Sequence, residues 1–312
     1  MSQPQPTGNT GFVVAQAATT SQPESAGIVG DIRRLTIDDL SQCLKLAQDR
    51  DWPAEEHKWR LLLEIGDVYG IDDPDASERD PAGRLAGTVI STPYGTQLTF
   101  ISMVLVAKRH QRRGIGGRMM RHALRHSGTD AARLTATPYG RHLYARLGFR
   151  GVGTVSTFTG IPARTMANVG EAASRLATPA DLPAIAALDQ VAFGAPRTSL
   201  VSALPSFCSS LRVVQGPSGI AGYGGAWKSL DRTTIGPVIA DDIAAARTLI
   251  ADLAADVPGT IRVDIDERHA GLISWVEQHG LTHTYDSEVM AYGPARADRP
   301  DWVFAMAAQA LG

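Results

Sequence analysis

Cysteine is scarce in this chain: its 312 residues include two, Cys43 and Cys208, one in each half. That excludes a disulfide-stapled scaffold. Both lie in apolar or mixed contexts and read as buried free thiols, which suits a reducing compartment, the cytoplasm. No apolar run approaches the roughly 18 residues that a membrane-spanning helix needs, so no membrane association is expected. No cationic stretch precedes the short apolar segment Phe12 to Ala18, which therefore does not read as a signal peptide. Residues 1–29, rich in Gln, Ser, Thr, Pro, Gly and Ala, read as a disordered tail. Charge of one sign is also missing: the net charge of -2 carries no footprint of nucleic-acid binding. The eight histidines show no metal-ligand spacing, and no metal is expected. His122 and His126, with Arg121 and Arg125 beside them, read as the exposed basic face of a helix.

What is present is a rhythm of short strands and helices, with 44% hydrophobic residues to fill two domain cores. Order is expected from residue 30. A strand over Asp31 to Thr36 precedes Asp38 and Asp39, read as caps of a helix from Leu40 to Gln48; a second helix spans Glu55 to Glu64, and a strand lies near Asp67 to Gly70. A polar connection, Asp72 to Gly83, separates these from strands at Leu85 to Ser91 and Gln97 to Val106. The apolar run Phe100 to Val106 then leads into Gln111-Arg112-Arg113-Gly114-Ile115-Gly116-Gly117, and a helix-like stretch follows from Arg118. Strand, glycine-rich basic turn and helix N-terminus together make a pyrophosphate cradle. The first NH groups of a helix lack internal partners and sit at the positive end of its dipole. Gly114 and Gly116 let the backbone close on phosphate, while Arg112, Arg113 and Arg118 add forked donors and fixed charge.

This turn is not a Walker loop, since no Lys-Ser/Thr follows its last glycine, and Met119 stands where a dinucleotide fingerprint needs glycine. It resembles the acetyl-CoA signature of the GNAT N-acetyltransferase superfamily, Gln/Arg-x-x-Gly-x-Gly/Ala after a strand. Downstream, Leu143-Tyr144-Ala145-Arg146-Leu147-Gly148-Phe149 resembles the Leu-Tyr-x-x-x-Gly-Phe segment that closes the cofactor half of the same fold. The resemblance implies an α/β (α+β) protein of tandem GNAT folds, each a mixed, mostly antiparallel twisted sheet flanked by helices, with acetyl-CoA as co-substrate. It implies that Val104, Leu105 and Val106 present backbone groups to the pantetheine arm and thioester. Gln111, Arg112, Arg113, Gly114, Ile115, Gly116, Gly117 and Arg118 would hold the pyrophosphate. A backbone NH near Leu105 or Val106 would polarise the thioester carbonyl, and Tyr144 would act as general acid for the departing thiolate. Thr137 and Gly140 depart from the pattern, standing where many members carry Asn and Ala; the Thr137 hydroxyl can substitute for one cofactor contact.

The second half repeats the first. Arg33, Thr36, Asp39 and Leu40 recur as Arg175, Thr178, Asp181 and Leu182, at a constant offset of 142. The order of elements recurs too, with strands expected at 211–214, 220–227, 233–239 and 260–265 and helices at 242–255 and 270–279. The copies differ chemically. Where the first has its glycine turn, the second reads Gly236-Pro237-Val238-Ile239-Ala240-Asp241-Asp242, whose aspartates would cap a helix but repel a pyrophosphate. This resembles the degenerate second domain of some two-domain GNAT proteins and implies one cofactor site per chain. The expected organisation is a tail over 1–29, a catalytic domain over 30–165, a degenerate domain over 171–296, and a tail or helix over 297–312.

The acceptor is expected to be the primary amine of a small molecule, in a cleft lined by Trp52 and Ser102. Phe193, Tyr223 and Trp227 are further aromatic candidates. The strand Leu98 to Val106 offers no carboxylate to take the amine proton, so Asp51, Glu55, Glu56, His57 and His142 remain open as candidates. Two alternatives stand beside this reading: a non-catalytic acyl-CoA-binding sensor, and a protein or peptide N-acetyltransferase.

Overall fold

Each half opens on the same small device. In the computed structural model, which describes residues 30–77, 83–168 and 173–312, Arg33 reaches Asp39 at 2.7 Å and Arg175 reaches Asp181 at 2.7 Å. In both, the threonine and aspartate form a reciprocal capping box around a single 3-10 turn, Ile37–Asp39 and Pro179–Asp181. The repeated Arg, Thr and Asp are thus one chain-reversal unit used twice. Asp39 is spent on Arg33 and on the Thr36 NH and makes no side-chain cap to the following helix, so the expected Asp38-Asp39 cap is in fact the Thr36 box. The tail 1–29 and residues 78–82 of the polar connection lie outside the described residues.

The first half runs β1 (Ile32–Arg34), α1 (Leu40–Asp49), α2 (Glu56–Ile65), β2 (Asp67–Asp72), β3 (Leu85–Tyr94), β4 (Leu98–Val106), α3 (Ile115–His126), β5 (Ala132–Ala136), α4 (Pro138–Arg146) and β6 (Arg150–Gly160). The second runs β7 (Arg175–Leu176), α5 (Leu182–Phe193), α6 (Thr198–Phe207), β8 (Ser210–Gly216), β9 (Gly219–Lys228), β10 (Thr233–Ala240), α7 (Ile243–Ala255), β11 (Ile261–Asp266), α8 (Ala270–Gln278), β12 (Leu281–Tyr292) and β13 (Val303–Ala305). The thirteen described strands form one sheet in the order β1-β2-β3-β4-β5-β12-β6-β11-β13-β10-β9-β8-β7. It is mostly antiparallel; the parallel pairs are β4 with β5 and β10 with β11. Among the described residues, no helix is long and apolar enough to cross a membrane.

The order shows an exchange. β12, from the second half, pairs with β5 of the first in the register Val289 to Thr135, and β6 of the first pairs with β11 of the second in the register Phe158 to Val263. The last long strand of each half therefore completes the other's sheet, and the halves share one hydrogen-bonded unit across the chain boundary. A core cluster follows the same path, joining Trp59, Tyr94 and Phe100 of the first half to Phe193, Tyr223 and Trp227 of the second. Cys43 is buried and Cys208 half-buried; both are free thiols, pushed up to about 12 by burial.

Both halves contain a divergence of parallel strands. β4 and β5 pair at Thr99 to Ala132 and Phe100 to Arg133, then separate. β10 and β11 pair from Thr233 to Ile261 as far as Ile235 to Val263, and then β13 enters between them, matching Val238 to Ala305 and Ile265 to Ala305. The stretch 297–312, expected as a tail or a helix, is therefore a 3-10 turn at Pro300–Trp302, a sheet strand and a buried ending. Its apolar Phe304, Ala305 and Leu311 are covered, which a free tail would leave in water.

Candidate functional site

The first divergence has a specific backbone shape. Between Thr88 and Ile90 the register of β3 on β4 shifts, leaving one extra residue on β4, and Met103 takes a left-handed conformation with φ of 47°. The Met103 carbonyl accepts a 2.9 Å hydrogen bond from the buried Thr88 hydroxyl, which pins the bulge. Ala107 NH donates to Ala86 of β3 at 2.9 Å. Because backbone groups alternate along a strand, Leu105 also faces β3, whereas the NH and carbonyl groups of Val104 and Val106 face the open side. Of the three strand residues expected to present backbone groups, those of Val104 and Val106 thus point away from β3 and those of Leu105 toward it.

Beyond β4 the chain turns over a short 3-10 segment, Lys108–His110, and reaches Gly114, whose φ of 79° is open to glycine at little cost. A Cβ there would meet nothing within 4 Å, so this glycine serves backbone shape in open space. Arg118 NH donates to Gly114 at 3.0 Å as the helix starts, and the NH groups before it point outward from the N-terminus of α3. Gln111, Arg112 and Arg113 are exposed around this end. Beneath it, buried Asp73 accepts from His110 Nε2 and, at 2.6 Å, from Arg109 Nε, while Arg113 approaches His110 Nδ1 at 3.5 Å. Burial pushes the Asp73 carboxyl up, but the bonds from His110 and Arg109 outweigh it and hold the group below the usual carboxylate value.

Helix α3 carries Ile115, Met119 and Met120 into an apolar cluster with Tyr144 of α4, and Val104 and Val106 pack at the rim of that cluster. Burial raises the Tyr144 phenol to about 12. A Cβ on residue 140 would lie 2.9 Å from the Tyr144 hydroxyl oxygen, so glycine here leaves the room in which that phenol sits. Thr137 accepts from Gly140 NH at 3.3 Å and caps α4. His142 is exposed on the same helix. On α3, His122 is half-buried: it stacks on His126 with ring centroids 4.0 Å apart and meets the edge of Tyr69, so the face expected to be fully exposed is partly packed. Burial first, then the neighbouring His126, lowers the pKa of His122.

On the open side of the β4 bulge lies a cavity of about 500 Å³. Trp52, Ser102 and Met103 line it from the first half, with Thr135 and Thr137 across the divergence. Trp227, Arg262, Asp264 and Tyr285 line it from the second half, and Ala308 to Ala310 close it. The closing segment is held from both halves: Tyr94 donates to Leu311 at 2.6 Å, Trp227 to Ala307 at 2.9 Å and Arg197 to Gly312 at 2.9 Å. Asp51 and Glu55 reach this cavity; Glu56 and His57 line a neighbouring one, where His57 stacks on Phe207. Glu55 is buried. Although burial opposes its ionisation, Lys58 and Ser229 hydrogen-bond it and keep the carboxyl below its usual value. Phe193 and Tyr223 are core residues away from this cavity. Arg262, Asp264, Tyr285 and Gln309 were not foreseen from the sequence, since no local motif marks residues that only strand exchange brings to β4.

Two stretches match models described as the acetyltransferase (GNAT) domain, residues 80–169 and residues 185–305. The chain belongs to the GNAT acetyltransferases. It is similar to the uncharacterized N-acetyltransferase YitH of Bacillus subtilis, with 26% identity over 288 residues that span 91% of this chain and 99% of the relative. Among solved structures, a Pyrococcus horikoshii protein described as an acetyltransferase aligns with a TM-score of 0.76 at 20% identity, over 94% of this chain and all 100% of that one. A tandem GNAT protein from the clavulanic acid biosynthesis pathway aligns with a TM-score of 0.60 at 14% identity, covering 85% of this chain and 99% of that one. These structures share the tandem GNAT fold. In this GNAT chain the second half lacks the cradle: Asp242 caps α7 by accepting from Ala245 NH at 2.7 Å, and β13 fills the strand divergence. A Cβ on Gly236 would run into the Met306 carbonyl, so β10 and the inserted chain are in direct backbone contact.

Proposed function

We propose that the chain transfers an acetyl group from acetyl-CoA to the primary amine of a small molecule, at one site per chain in the first half. The observation that carries this reading is the divergence of β4 from β5 beside the glycine-capped α3, with its counterpart in the second half filled by β13. The residues present fit acetyl-CoA: an exposed helix N-terminus with Arg112, Arg113 and Arg118 suits the pyrophosphate, and the outward amides of Val104 and Val106 suit an extended pantetheine arm. Acetyl-CoA, when bound, supplies the activated acyl group. The NH of Val104 or Val106 is then the donor best aimed at negative charge developing on the thioester oxygen.

Tyr144 is the proton donor of this reading. With its phenol at about 12, transfer to a thiolate of ordinary basicity is uphill by about 5 kcal/mol, so a strong hydrogen bond to the leaving sulfur is its main contribution. Glu55, ionised at the cavity wall, is the carboxylate placed to receive the amine proton, directly or through water. Calorimetric titration with acetyl-CoA tests the cofactor half, and amine-dependent release of free CoA tests the transfer. One site per chain with amine-dependent release is the expected result. Binding without release for any amine would leave an acyl-CoA-binding protein, and two sites would overturn the assignment of the second half.

A further inference from the structure

We propose that the acceptor is a zwitterion, a small amine that also carries a carboxylate, and that Arg262 is the specificity-determining residue that reads the carboxylate. This rests on the reading of the cavity as an acceptor site for small amines. Arg262 lines the cavity with 22% of its side chain exposed. Its Nε and Nη2 donate to Asp264 at 3.0 and 2.9 Å, and Nη2 also donates to the Tyr285 hydroxyl at 2.8 Å. One edge of the guanidinium is thereby consumed, while Nη1 has no hydrogen-bond partner among the described residues. Tyr285, having accepted from Arg262, keeps its own proton to donate.

The plane of that guanidinium is fixed by a relay drawn from four elements. Ser287 donates to Gln309 at 3.2 Å, Gln309 to Thr157 at 3.1 Å, and Thr157 to Asp264 at 2.6 Å, so Asp264 is held in place as well as neutralised. A fixed donor fork with one free edge suits a carboxylate oxygen.

The other end of the cavity asks for a cation. Ser102, on β4 next to the bulge, is buried, and its hydroxyl has no partner among the described residues, which leaves it available to a ligand or a water. Glu55 faces the same space from the first half. Glu55, held by Lys58 and Ser229, and Arg262, held by Asp264, line the same cavity from opposite halves, and no ion pair joins the two among the described residues. The lining as a whole carries the carboxylates Asp51, Glu55, Asp264 and Asp286 against Lys58 and Arg262. A plain anion meets that excess of negative charge, and a plain diamine leaves Arg262 facing a cation. An amine near Ser102 and Glu55 with its carboxylate on Arg262 satisfies both ends.

The test compares the unmodified protein, with acetyl-CoA, on the proteinogenic L-amino acids, β-alanine and 4-aminobutyrate, each against its own carboxamide. At least one acid is expected to exceed its carboxamide about 100-fold in kcat/KM, because the carboxamide brings no charge to pair with the fixed Arg262 fork. Arg262→Lys is expected to raise KM for that acid about tenfold or more and to shrink the ratio, with acetyl-CoA affinity unchanged as the control for folding. Carboxamides that match or exceed the acids overturn the role of Arg262 while leaving amine acetylation standing. If acetyl-CoA binds and no amine of either kind is acetylated, the acceptor-site reading itself fails and this inference falls with it.

Discussion

The two halves share a strand divergence and treat it in opposite ways. In the first, β4 leaves β5 after Phe100, a bulge at Met103 turns the amides of Val104 and Val106 outward, and Gly114 opens a helix with no acidic residue in its first turn. In the second, the equivalent gap is filled by β13, and the helix begins behind Asp241 and Asp242. Burial, together with the neighbouring Asp242, raises the pKa of Asp241, as expected for crowded like charges at a helix start. A parallel-strand divergence leaves backbone groups without a ladder partner. They must be satisfied by a ligand, by water or by more chain, and in the second half the answer is more chain, β13. The chain that fills the second gap then continues through Ala308 to Ala310 to wall the cavity of the first. The filled gap thus anchors a wall of the open one.

The contrast can be broken most strongly at the cradle. Arg113→Glu/Gly116→Glu puts two carboxylates at the N-terminus of α3, and a Cβ at 116 already lies 3.2 Å from Leu143; acetyl-CoA affinity is expected to fall about 1000-fold, or about 4 kcal/mol, by calorimetry. Emptying the filled gap should harm stability without creating a second site. Phe304 is buried with its ring 4.0 Å from that of His269, and Phe304→Ala is expected to cost about 3 to 4 kcal/mol in urea unfolding, with stoichiometry still at one acetyl-CoA per chain. A second binding event in that variant would refute the idea that β13 closes a site that is also wrong in charge.

Asp73 braces the turn that leads into α3, through Arg109 and His110. Asp73→Asn removes the buried carboxylate that accepts from both His110 and Arg109 and is expected to cost about 3 kcal/mol. Its carboxyl is depressed in the folded state, so its contribution is fully present above the unfolded value near about 4 and is lost as pH falls through the lower folded value. Acid titration of wild-type and variant stability should therefore converge at low pH. Tyr144→Phe is expected to lower kcat about tenfold, with acetyl-CoA affinity unchanged; equal loss of both would remove the proton-donor role. The smallest effect belongs to the second half, where Asp242→Ala removes the cap on Ala245 and is expected to cost about 1 kcal/mol with no change in acetyl-CoA binding.

Much of the fold was legible because its signals are local. The repeated Arg, Thr and Asp read as a repeat and proved to be a shared capping box with an ion pair. Helices α1, α2, α7 and α8 lie where periodicity and caps placed them, within a residue or two. The segment 297–312 was misread because its three-residue strand is too short to show a period and is ordered by the gap that receives it. Within the site, Trp52 and Ser102 do meet in one cavity, whereas Phe193 and Tyr223 pack in the core. Aromatic composition alone does not separate a pocket wall from a core layer.

The sequence by itself determined the elements of the proposed cradle, since a strand, a glycine turn and a helix N-terminus are contiguous in the chain and their backbone directions follow from local geometry. It determined the inequality of the halves as well, because aspartates at a helix start oppose a pyrophosphate wherever that helix is packed. Tertiary structure decided the cavity proposed for the acceptor. Its walls are drawn from α2, β4, β11, β12 and the segment after β13, and only the exchange of β6 and β12 between sheets brings Arg262 and Tyr285 opposite Ser102. Side chains that converge from distant elements leave no spacing in the sequence to be read.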